Sequence, residues 1–181
     1  MKTLYLLCGL AFSGKSTLAK AIVNYLNCAS VSLDDINKER GLGFGGDGIS
    51  VEEWENTHQF AIGILDNLMQ LEEDIVLDDT NCFRWLRDRF REVAKRHNYE
   101  TRVIYLDVSL EEIYIRMQMN EQTKKRQGIK KEIFAELMQN FQLPEVDENI
   151  LLFQNECTIK DWLELNCIIE QNSGVRSQNS E

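Results

Sequence analysis

The chain has 181 residues, 43% hydrophobic and 28% charged, with a formal net charge of −10. That length fits one domain with a real core, and no apolar run approaches the roughly 18 residues that span a bilayer, which disfavours a membrane partner. The acidic balance disfavours nucleic acid over most of the surface. Five scattered cysteines without a C-x-x-C pair argue against a disulfide framework or zinc site and suit a reducing compartment.

In chain order, residues 3–8 are a short apolar run with the composition of a buried parallel strand. Lys2 and the apolar residues to Phe12 imitate a signal peptide. No small-x-small cleavage site follows, however, and a glycine loop starts inside the run, so a mature cytoplasmic start is expected. That loop, Gly9-Leu10-Ala11-Phe12-Ser13-Gly14-Lys15-Ser16-Thr17, reads G-x-x-x-x-G-K-S, the phosphate-binding P-loop. Its glycines let successive backbone N–H groups turn inward on a phosphate, and the helix that opens here adds its positive end. All nine residues are expected to bind ATP, with Lys15 reaching the terminal phosphates and Ser16 ligating Mg²⁺. Leu18, Ala19, Ile22, Val23 and Leu26 then recur at helical spacing to about Asn27.

Residues 29–33 read as a second strand that ends on Asp34-Asp35. Arg40 leads into a loop with five glycines in residues 41–48, a composition no packed element has, and such loops beside phosphate sites carry substrate contacts or close over them. Ser50-Val51-Glu52-Glu53 has the form of a capping box for a helix to about Leu71, on which His58 is expected to pack at the edge of Trp54. Residues 74–77 form a third strand, again followed by acids, in Asp78-Asp79-Thr80-Asn81. A helix over residues 84–97 carries six Arg and Lys, read mostly as a solvated face. Residues 102–107 are a fourth strand, and Ser109-Leu110-Glu111-Glu112 opens the next helix. Residues 116–131 are strongly basic and interrupt two helices, as a lid would. A helix from Lys131 to about Gln142 stops before Pro144, residues 149–153 form an edge strand, and a terminal helix spans 158–170. This gives one domain over residues 1–170 and a polar, disordered tail over 171–181.

Strands alternating with helices predict an α/β fold of three layers, with a five-stranded parallel sheet, helices on both faces and a helical lid. Ligands of such sheets bind beyond the carboxyl ends of the strands, where the P-loop and both aspartate pairs fall. Asp34 is placed to act as general base or to hold a metal-bound water. Asp35, Arg40, Asp79, Thr80 and Asn81 are candidate acceptor contacts, with a helix cap as the other reading of Asn81. Arg116 and Arg126 are the lid residues expected on the transferring phosphate.

These motifs resemble the P-loop kinases related to polynucleotide 5′-hydroxyl kinases, zeta-toxin and chloramphenicol phosphotransferases, an AAA-family ATPase-like group. The likeness runs over residues 2–153, through Gly9 to Thr17, Ser32-Leu33-Asp34-Asp35, Asp78-Asp79-Thr80-Asn81, Arg116 to Arg126 and Phe141-Gln142-Leu143-Pro144. It implies Asp34 as the base, Asp79 as an acceptor contact, and Arg116 and Arg126 as phosphate ligands. The expected activity is ATP- and Mg²⁺-dependent transfer to a hydroxyl of a small molecule. A polynucleotide 5′-hydroxyl kinase and an ATP-binding regulatory or partner protein with little turnover are the alternatives.

Overall fold

The computed structural model describes residues 1–42, 48–154 and 157–173, with side chains of the last helix as far as residue 166. Most of the glycine-rich loop (residues 43–47) and the end of the expected tail (residues 174–181) lie outside the described residues.

Strands β1 (Thr3–Cys8), β2 (Ala29–Ser32), β3 (Ile75–Asp78), β4 (Glu100–Asp107) and β5 (Ile150–Gln154) form one sheet in the order β2-β3-β1-β4-β5. Every pairing is parallel, as helical crossovers require. The crossovers contain α1 (Lys15–Leu26), α2 (Leu33–Glu39), α3 (Val51–Gln70), α4 (Arg84–Arg96), α5 (Leu110–Thr123) and α6 (Lys131–Asn140), and α7 (Ile159–Ser173) follows β5. β1 alternates between two cores. Leu4, Leu6 and Cys8 pack against Ala61 and Leu65 of α3 and Phe90 of α4, while Tyr5 and Leu7 pack against Leu18 and Ile22 of α1 and Trp162 of α7. Central strands covered on both faces must be apolar throughout, which is why β1 reads as an unbroken apolar run. Among the described residues no helix is long and apolar enough to cross a membrane.

Both expected helix caps form: Ser50 Oγ accepts the Glu53 N–H and Ser109 Oγ the Glu112 N–H, each at 3.2 Å. The glutamates turn away to arginines, Glu53 to Arg40 and Glu112 to Arg116. A reciprocal box occurs instead between Glu145 and Glu148 around a short 3-10 turn, Val146–Glu148.

Four readings are corrected. β2 stops at Ser32, and the aspartate pair sits not on a strand end but in the first turn of α2. Ser32 caps that helix by accepting the Asp35 N–H, Leu33 and Ile36 bury its inner side, and acids suit its positive end. α5 runs on to Thr123, because its polar last turns are good helix formers. It ends where Lys124 takes φ +48° and donates its N–H to Asn120 O at 2.7 Å, so only residues 124–130 connect α5 to α6. The basic helix α4 is not a solvated face either. Arg84 pairs with Asp88, Glu145 and Asp147, and Arg89 with Glu55. Arg87 has no exposed surface, and its Nε and Nη2 meet the equally buried Glu148 carboxylate at 2.7 and 3.0 Å. α7 also continues beyond residue 170, to Ser173.

Removing one partner of a buried ion pair leaves the other charge uncompensated, at about 3–5 kcal/mol. Arg87→Ala or Glu148→Ala is therefore expected to lower the thermal midpoint by on the order of 10 °C. The apolar double substitution Arg87→Met/Glu148→Leu should recover only the part owed to the uncompensated charge in the same circular-dichroism melt, because the carbonyls of Asn81 and Gln142 and the Glu145 N–H each lose a partner.

Candidate active site

The P-loop leaves β1 at Gly9, whose N–H donates to Thr80 O at 3.1 Å and so fixes the loop beside the end of β3. A Cβ on Gly9 would approach Ser13 Oγ to 3.0 Å and Leu106 to 3.3 Å, so a side chain there would press its neighbours aside by a few tenths of an ångström. Phe12 at φ +65° and Gly14 at φ +104° reverse the chain into α1, and the left-handed Gly14 sits at its N-cap. The N–H groups of Lys15 and Ser16 open that helix without an intrahelical carbonyl, which makes the turn an anion site. Among the described residues the buried Ser13 hydroxyl has no hydrogen-bond partner. Lys15 Nζ lies along the loop and donates to Gly9 O at 2.9 Å and Leu10 O at 2.8 Å. Burial lowers its pKa, opposed by the carboxylates of Asp78 and Asp79.

Asp78 is the site residue that motif reading passed over. It accepts a hydrogen bond from the Ser16 hydroxyl; burial raises its pKa, and Ser16 and Lys15 pull it back. Strand alternation signals this placement: Val76 packs in the α1 layer, and Asp78, two residues on, projects to the same side. Ser16 and Asp78 supply the hard oxygen donors that Mg²⁺ prefers. Among the described residues no group of three or more His, Cys, Asp or Glu is placed to hold a metal ion.

The structure brings most expected residues to this edge and turns some away. Asp34 is half-buried in the first turn of α2, near enough for its charge to raise the pKa of Asp78, whereas Asp35 is exposed. Asp79 is half-buried beside them, its Oδ2 accepting the Asn81 N–H at 3.1 Å. Thr80 contributes its carbonyl to Gly9. Asn81 is neither an open acceptor contact nor a helix cap. It is fully buried at φ +47°, its Nδ2 donates to Leu7 O at 2.7 Å, and the N-cap of α4 is Phe83. The amide thus ties the exits of β1 and β3 together. Arg40 faces α3, donating to the Glu53 carboxylate, to Glu53 O at 2.9 Å and to Thr57 Oγ1 at 2.5 Å, with its guanidinium over Phe60. Thr57 donates in turn to the buried Asn37 of α2 at 2.5 Å. This network makes Arg40 a strut between α2 and α3.

Both hairpin arginines reach the P-loop. Arg116 Nη1 donates to Phe12 O at 3.2 Å and Ser13 O at 2.9 Å, while its Nε holds Glu112 at 2.8 Å. The Arg126 guanidinium lies 4.3 Å from the centre of the Phe12 ring, and Asn120 brackets its backbone by accepting the N–H at 3.0 Å and donating to the carbonyl at 2.9 Å. Its charge contributes to the lowered pKa of Lys15. His58 is enclosed by Trp54, Trp85 and Phe90 at ring-centre distances of 5.9, 6.4 and 6.3 Å. Burial lowers its pKa against the pull of Asp79, so the ring favours its neutral form.

A family model described as an AAA domain matches residues 4–144. Comparison with curated proteins gives no sequence match. Solved structures share the architecture. Kti12 of Chaetomium thermophilum with ADP-AlF3 aligns at a TM-score of 0.75 and 14% identity, over 93% of this chain and 97% of that one. The APS kinase CysC of Mycobacterium tuberculosis with AMPPNP and APS aligns at 0.67 and 15%, over 93% and 97%. A gluconokinase of Sinorhizobium meliloti aligns at 0.66 and 14%, over 97% of each. At these identities the likeness is one of fold.

Ser16→Ala and Asp78→Asn are each expected to raise the Mg²⁺ concentration needed for half-maximal binding of a fluorescent nucleoside triphosphate by about 10–100-fold. Because the two side chains touch, the double substitution should cost little more than either alone. A magnesium titration that matches the parent protein would remove Asp78 from the metal site.

Proposed function

The chain belongs to the AAA domain family, and from that premise we propose that it is an ATP- and Mg²⁺-dependent phosphotransferase that moves the γ-phosphoryl group to a hydroxyl of a small-molecule acceptor. The observation that carries this reading is a convergence at one sheet edge. The P-loop with Lys15, the Ser16–Asp78 pair, Asp34 in the first turn of α2 and the α5–α6 hairpin with Arg116 and Arg126 all belong to that end of the sheet. A switch or motor needs the first two of these groups. A base opposite the phosphate and cations above it are what transfer to an acceptor adds.

In the proposed reaction the turn from Gly9 to Thr17 cradles the β- and γ-phosphates, and Lys15 exchanges the carbonyls of Gly9 and Leu10 for phosphate oxygens. Ser16, with Asp78 behind it, would hold Mg²⁺, which neutralises charge on the phosphate oxygens when bound. The Asp34 carboxylate takes the proton of the acceptor hydroxyl while that oxygen forms its bond to the γ-phosphorus. The bond from the γ-phosphorus to the β,γ-bridging oxygen breaks, and ADP leaves with the electron pair. Arg126, already over Phe12, meets the charge on the transferring group, and Arg116 holds the rear of the loop. Asp79 is assigned to the acceptor.

Two structural neighbours are named as an APS kinase and a gluconokinase, which supports a small acceptor, as does the net charge of −10. A polynucleotide 5′-hydroxyl acceptor is the second reading, favoured by the motif resemblance and by the basic connector with Lys124, Lys125, Arg126 and Lys130.

An ADP-release screen across nucleosides, nucleotide sugars, aminoglycosides, phenicols and 5′-hydroxyl oligonucleotides is expected to show stimulation by a small alcohol. Efficient, salt-sensitive labelling of the oligonucleotide would select the second reading instead. Asp34→Ala should keep ATP binding and lose about 10²–10⁴-fold in transfer, the scale of a general base. Normal transfer by that variant would remove Asp34 from the role.

A further inference from the structure

Helix α4 begins without a cap of its own: Phe83 at its N-cap offers no side-chain acceptor. The first N–H of the helix, that of Arg84, is met from 58 residues away by Gln142 Oε1 at 2.7 Å. Gln142 lies two residues beyond the end of α6, and its own N–H donates to Cys82 O at 2.8 Å. One turn into α4, Arg87 Nη1 donates to Asn81 O and Gln142 O, both at 2.9 Å, and Nη2 reaches Leu143 O at 3.4 Å. The exit of the α5–α6 hairpin is therefore bonded on three sides to the loop that carries Asp79, Thr80 and Asn81 and to the helix behind it. That loop is tied to the P-loop entry through Asn81 Nδ2 on Leu7 O and Cys8 Sγ on Asn81 O at 3.3 Å. The other end of α6 leads into the connector with Arg126 over Phe12.

We propose that Gln142 and Arg87 are positioning residues that hinge the α5–α6 hairpin on α4, so that the acceptor loop 79–82 and the place of Arg126 over the phosphate site are set together. The idea rests on the phosphotransferase reading only for its effect on turnover. Gln142 has no route to the reacting atoms in this account, and neither does Arg87: both act through the backbone they hold. Because Gln142 is exposed while Arg87 is fully buried, the two can be tested with different risks to folding.

Gln142→Ala deletes the borrowed cap, and Arg87→Lys keeps the charge facing Glu148 while losing the fork that bonds several carbonyls at once. Both variants are expected to bind a non-hydrolysable ATP analogue within about 2-fold of the parent Kd, because neither touches the P-loop. Turnover with any acceptor found should fall by about 10–100-fold in kcat with little change in the KM for ATP, the loss expected when a phosphate-facing group is misplaced by an ångström. A second readout needs no acceptor: trypsin cuts after Lys124, Lys125 and Arg126. The analogue should slow that cleavage in the parent protein and lose most of its protective effect in Gln142→Ala. Gln142→Ala with parental melting, protection and turnover would overturn the hinge. So would analogue protection that is absent in the parent or retained in the variant, whatever happens to kcat. A screen without any turnover would count against the phosphotransferase reading and leave the proteolysis result to decide the hinge.

Discussion

A guanidinium with no exposed surface must find every hydrogen bond inside the protein, and the way Arg87 does so organises this molecule. Its donors go to one buried carboxylate and to the carbonyls of two chain segments distant in sequence, the turn after β3 and the exit of α6. Neither segment belongs to a regular element at those points, so neither has ladder or helix bonds to hold it. A buried charge whose loss is costly supplies the fixed point instead. The aspartates after β3 thereby stand on a rigid base although they are carried by a loop.

The phosphate end is built by different means. There the constraint is steric and backbone-based: a glycine where a Cβ would be crowded, two left-handed residues and a helix opening toward the loop. Lys15, resting on two carbonyls of the loop it serves, holds an ammonium in place and partly stripped of water. Asn81 joins the two constructions, because its amide bonds β1 at Leu7 and its carbonyl bonds Arg87.

Legibility in the sequence followed the range of the signal. β1, the P-loop and α1 could be read residue by residue, since an apolar run, a glycine motif and a 3.6-residue period are each local. The parallel sheet followed from alternation of elements, and β5 from its apolar run. α2 was not visible because seven residues give a helix only Leu33 and Ile36 as a pattern, and its cap is a residue that the strand also claims. The arginines of α4 looked solvated because their acids, at Glu55, Asp147 and Glu148, are far along the chain. Asn81 reads as an acceptor contact or a helix cap for the same reason, its partner being Leu7. Asp78 was within reach, since counting alternate residues along β3 places it on the α1 side. Its neighbour Asp79 drew attention through the D-T-N triplet instead.

The pairing of the α4 arginines changes how the whole molecule looks to a distant ion. Arg84, Arg87, Arg89 and Arg91 are each answered by a nearby acid, whereas the short connector after α5 places Lys124, Lys125 and Arg126 in a row. Arg126 of that connector lies over Phe12 of the phosphate turn, so positive charge stands on this side of a chain whose net charge is −10. A basic segment set beside such a turn draws anions toward it at low ionic strength and loses that pull as salt screens it.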